Sequence, residues 1–71
     1  MTDLQSMLYQ AMITNLHVKG TGYTVEQCLQ VAKKAFDTDL PKVEKAIARL
    51  IKLDKIEMHF SEDEVILRAK V

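Results

Sequence analysis

Cysteine is nearly missing from this chain. Cys28 stands alone, so no disulfide can form within it. The core must hold without a covalent staple, which points to a reducing, cytoplasmic or otherwise intracellular setting. Glycine occurs twice and proline once, too few for a linker-rich or disordered chain. An excess of charge is lacking too: ten Lys and Arg balance ten Asp and Glu. That balance excludes a strongly basic nucleic-acid binder at the level of totals, while leaving room for a local basic face. No run approaches the roughly 18 apolar residues of a membrane span. The opening Met1-Thr2-Asp3-Leu4 lacks a charged leader and a long apolar stretch, so neither a signal peptide nor a membrane partner is expected.

What remains is a globular balance. Hydrophobic residues make up 48% of the 71 positions and charged ones 28%, enough apolar material for one domain, residues 1–71. A domain of this size buries only roughly 60% of its unfolded surface, so its core must be used efficiently.

Thr2-Asp3-Leu4-Gln5 has the form of a helix start, with Thr2 accepting from the first turn and Gln5 reaching back. Leu4, Met7, Leu8, Ala11 and Met12 then share a face. This first helix is predicted to run to about Val18, with Gly20 as its left-handed cap. Thr24-Val25-Glu26-Gln27 repeats the capping signature. The second helix is predicted to bury Cys28, Val31, Ala32 and Ala35, with Leu29 and Phe36 at its borders. Asp37-Thr38-Asp39-Leu40-Pro41 is a turn into a third helix, capped by Asp39 or Thr38, with Pro41 in the first turn. Its stripe is Leu40, Val43, Ala46, Ile47 and Leu50, widened by Ile51 and Leu53. From Ile56 the period falls from 3.6 to 2. Ile56, Met58 and Phe60, then Val65, Leu67 and Ala69, alternate with other residues around Ser61-Glu62-Asp63-Glu64. The pattern predicts an antiparallel hairpin whose apolar face covers the helices. The expected fold is α+β, a three-helix cluster with a C-terminal two-stranded hairpin.

That order of elements resembles the winged helix-turn-helix family over nearly the whole chain. The resemblance is carried by the turn Phe36-Asp37-Thr38-Asp39-Leu40-Pro41, the helix from Lys42 to Leu53, and the phrase Leu50-Ile51-Lys52-Leu53-Asp54-Lys55-Ile56-Glu57. Gly22-Tyr23-Thr24 matches the place where such domains often carry a very short first strand. The resemblance implies that the third helix enters the major groove of double-stranded DNA.

The residues themselves favour a binding role over catalysis. Lys42, Lys45, Arg49 and Lys52 recur at helical spacing opposite Val43, Ile47 and Leu50. Lys33, Lys34 and Lys55 extend the basic surface, and residues 31–55 hold seven basic against four acidic residues. On the DNA-binding expectation, Lys42, Lys45 and Arg49 approach bases, with Arg49 suited to a guanine edge. Lys52, Lys33, Lys34 and Lys55 meet phosphates, joined by the uncharged Thr38 and Gln27. The same residues also suit a solvated helix face, since Lys and Arg are good helix formers.

Glu62, Asp63 and Glu64 at the hairpin tip oppose DNA contact there, within a Debye length of roughly 8 Å. With the zero net charge they favour an alternative, a protein-interaction module whose basic stripe meets an acidic protein surface. Tyr9, Ile13 and Leu16 form a second apolar flank on the first helix, suited to a homodimer contact. No catalytic residue, metal site, cofactor or small-molecule substrate is expected. His17 and His59 lack partners at metal spacing, and Cys28 sits on an apolar face. Gly20-Thr21-Gly22 lacks the Lys of a phosphate loop. Met7, Met12 and Met58 are expected to fill the core.

Overall fold

The computed structural model describes residues 2–19 and 22–70, with backbone alone for 15–19 and Ser61. Three helices, α1 (Asp3–Lys19), α2 (Val25–Ala35) and α3 (Leu40–Lys52), precede two strands, β1 (Ile56–Ser61) and β2 (Glu64–Ala69). The strands form an antiparallel hairpin. The expected α+β arrangement is therefore the one observed. The expected cap at Gly20 falls outside the described residues.

Each helix starts where side chains satisfy the first free amides. The Thr2 hydroxyl accepts from Gln5 N–H at 3.2 Å, and Thr2 N–H donates back to Gln5 Oε1 at 3.3 Å. Thr24 and Gln27 make the same reciprocal pair at 3.1 and 3.0 Å. At α3 the cap is Asp39, whose Oδ1 accepts from Lys42 N–H at 3.3 Å. Pro41 sits in that first turn, where its missing N–H costs little.

The end of α3 is equally well defined. Lys55 N–H reaches Leu50 O and Asp54 N–H reaches Ile51 O, both at 3.0 Å. This doubled closure requires a left-handed residue, and Asp54 supplies it with φ 62°. The helix therefore reverses within two residues and delivers Ile56 to the sheet.

The core gathers Leu8 and Met12 from α1, Cys28 and Ala32 from α2, and Val43, Ala46, Ile47 and Leu50 from α3. Ile56, Leu67 and Ala69 close it from the hairpin. Two helical stripes end up narrower than expected. Ala35 is exposed, and so are Leu40 and Leu53, which lie at the two ends of α3 beyond the reach of α1 and the sheet.

The hairpin register pairs Ile56 with Ala69, Met58 with Leu67 and Phe60 with Val65, all on one face. That face is covered at its base and, on β2, as far as the half-buried Val65, but not along the outer part of β1. Met58 is 42% exposed and Phe60 80% exposed, so Met58 is not core filler and the face does not cover the helices along its whole length. The expected four-residue turn is shorter as well. Ser61 and Glu64 close the ladder, leaving Glu62-Asp63 as the turn, with Glu62 at φ 34°.

Tyr23 adds a one-residue bridge on the other edge of β2. Its N–H donates to Leu67 O at 2.9 Å, and Leu67 N–H donates to Tyr23 O at 2.7 Å. Gly22 permits this approach. A Cβ there would collide with Leu67 O and with an Ile66 methyl. Ile66 is accordingly half-buried rather than a free outward residue.

Candidate macromolecule-binding face

The third helix divides its exposed surface into two flanks. Lys42, Lys45, Arg49 and Lys52 fall within roughly a quarter of the circumference at 3.6 residues per turn. All four are exposed. Among the described residues none of them forms an ion pair. Their charges therefore face solvent uncompensated. Lys33 and Lys34 are exposed in the last turn of α2, where they also complement the negative end of the helix dipole.

The opposite flank of α3 is apolar. Ile47, Ala48 and Ile51, with Glu44 at the rim, face Val25 at the start of α2 and Met58 on β1. Together they line a shallow groove of about 200 Å³. Periodicity named the core stripe and the basic stripe but not this groove. Its signal lay in Ala48 and Ile51 falling outside the core stripe and in Met58 standing past the end of it.

Three expected contact residues are placed differently. Lys55 turns toward α1, its ammonium 5.9 Å from the Tyr9 ring centroid, within the range of a cation–π contact. The Thr38 hydroxyl is buried without a hydrogen-bond partner, so it is not presented to a phosphate. Gln27 spends its side-chain oxygen on the Thr24 cap, leaving only its amide group for another partner.

The apolar flank expected on α1 is described for two of its three residues. Tyr9 and Ile13 are half-buried and packed against the core, and the Leu16 side chain lies outside the described residues. Tyr9 also lies beneath Lys55.

The hairpin carries the opposite charge. Glu62, Asp63 and Glu64 are exposed at the tip. On the outer face His59 Nε2 lies 3.0 Å from Glu57 Oε1, and that bond, foremost, holds the Glu57 carboxyl below its usual range. At the base, Lys70 donates to Asp54, which raises the Lys70 ammonium pKa.

Burial pushes the Cys28 thiol up to about 12, so it stays protonated and poorly nucleophilic at neutral pH. Among the described residues no group of three or more His, Cys, Asp or Glu is placed to hold a metal ion. No helix among them is long and apolar enough to cross a membrane. No family model matches the chain, and no curated protein and no solved structure matches it either.

Proposed function

We propose that this chain is a winged helix-turn-helix protein that binds double-stranded DNA as a transcriptional regulator, with α3 in the major groove. The supporting observation is the row of four exposed cations along one flank of α3, none of them in an ion pair among the described residues. Such a row attracts phosphates by releasing their counterions. Lys42, Lys45 and Arg49 are the base-proximal residues in this proposal, and Lys52, Lys33 and Lys34 the phosphate-proximal ones. Lys55 and Thr38 are dropped from it, because one leans on Tyr9 and the other is buried. The acidic tip lies away from the duplex.

Fluorescence-anisotropy titration of mixed-sequence duplex DNA across salt tests the proposal. The expected result is binding in the roughly micromolar range that weakens log-linearly with salt. Lys45→Glu with Arg49→Glu is expected to abolish it while leaving the fold intact. Unchanged affinity in that folded double variant would sink the DNA proposal.

A second function, a protein-interaction module on the same fold, is favoured by the groove beside α3 and by the exposed Phe60. An apolar surface next to cations suits a protein partner better than a phosphate backbone. Recovery of a stoichiometric partner that is lost on Ala48→Glu, with no DNA binding at low salt, would select it over the first.

A further inference from the structure

We infer that a second copy of this chain docks reciprocally on the first, the hairpin tip of each copy lying along α3 of the other. Phe60 is the anchor. It is 80% exposed on the inner face of the hairpin, a costly position for a large aromatic that nothing in its own chain covers. The groove lined by Ile47, Ala48, Ile51 and Met58 is the apolar counterpart on the other copy.

Charge favours the same partner. Glu62 and Asp63 follow Phe60 at the turn, while Lys45 and Lys52 stand one turn of α3 from Ala48, beside the groove that Glu44 also lines. Among the described residues, neither set finds its counterpart within the chain, where the ion pairs are His59–Glu57 and Lys70–Asp54. Each copy thus carries both an acidic, aromatic projection and a basic-rimmed apolar groove. Two such surfaces satisfy one another in an isologous pair, in which each contact occurs twice. Glu44 at the rim repels an acidic tip, which places Glu62 and Asp63 toward Lys45 and Lys52 and leaves Phe60 alone to cross into the groove. Exposed ion pairs add little energy, so the aromatic carries affinity and the charges carry orientation.

The dimer and DNA would share the α3 stripe, so they compete, and each can fail without the other. Sedimentation equilibrium of the full chain over a concentration series, without DNA, tests the dimer. Phe60→Ser is expected to weaken association at least ~10-fold, the loss of a central aromatic anchor. Because Phe60 is so exposed, that variant keeps its fold, which circular dichroism checks. Charge reversal gives the sharper result. Glu62→Lys with Asp63→Lys, and separately Lys45→Glu with Lys52→Glu, are each expected to be monomeric. An equimolar mixture of the two is expected to associate, because each tip then meets an opposite stripe. A wild-type chain that stays monomeric at its highest soluble concentration overturns the inference. So does a dimer indifferent to Phe60→Ser, or a mixture that fails to associate. The tip-reversed monomer should still bind duplex DNA, more tightly than wild type, so losing the dimer leaves the DNA proposal standing.

Discussion

The base and the tip of the hairpin follow the same rule and meet opposite fates. Ile56, Leu67 and Ala69 at the base are buried, whereas Phe60, on the same face and in the same register, is 80% exposed. Alternation decides which face of a strand is apolar. It does not decide how far the underlying helices extend beneath that face. The base rests on the helices, and at the tip Val65 of β2 still packs against the core while Phe60 of β1 stands clear of it. The base therefore answers to stability, and the tip is free to answer to a partner.

The largest expected effect tests that division directly. Leu67→Ala at the base should cost ~2–5 kcal/mol, the usual penalty for a buried leucine, while Phe60→Ala should change monomer stability by less than about 0.5 kcal/mol. Urea denaturation of both variants below the dimerisation range compares them. Equal losses would break the comparison. Next in size is Gly22→Ala. The added methyl meets backbone at Leu67 O rather than a movable side chain, so a loss of about 1–3 kcal/mol is expected. Amide exchange at Tyr23 and Leu67 should accelerate, while the tip pair Ser61–Glu64 stays unchanged.

Cys28 reports on the core to which the base belongs. With its thiol held at about 12 by burial, the native chain holds a proton that the unfolded chain loses above its ordinary pKa near ~8.5. Fewer protons bound by the unfolded state means that stability falls as pH rises between those values, and is unaffected below them. Denaturant midpoints measured upward from neutral pH check the sign. A maleimide at neutral pH should label the thiol only on unfolding. Smallest is the difference between two identical substitutions at the ends of β1. Asp54 and Glu62 both hold positive φ, which glycine tolerates. Glu62→Gly should stabilise by up to about 1 kcal/mol. Asp54→Gly should gain less, because it forfeits the contact with Lys70. A larger gain at Asp54 would show that the Lys70 contact contributes nothing.

Much of the fold was legible because its signals are local. Thr2 with Gln5, Thr24 with Gln27, and Asp39 cap the helices they were expected to cap. Gly22-Tyr23-Thr24 carries the short bridge that its position suggested. The misplaced residues depend on neighbours far along the chain. Met58 looks like core filler until it is left at the edge of an open groove beside α3, and Ala35 and Leu40 fit their stripes but stay exposed. Thr38 reads as a free hydroxyl until packing closes over it. The basic stripe on α3 was visible from spacing alone. The groove beside it was not, since it forms only when α2, α3 and β1 meet.

The bridge between Tyr23 and Leu67 has a consequence for how the chain acquires its shape. It joins the α1–α2 connection to β2, the last strand, across most of the sequence. The core residues of the helices have no lid until β2 is in place. A nascent chain halted before Leu67 would therefore expose Leu8, Leu50 and Val43 together, and its helices would flicker rather than dock. Folding should switch on abruptly as that strand clears the ribosome. Arresting synthesis on either side of Leu67 would locate the switch.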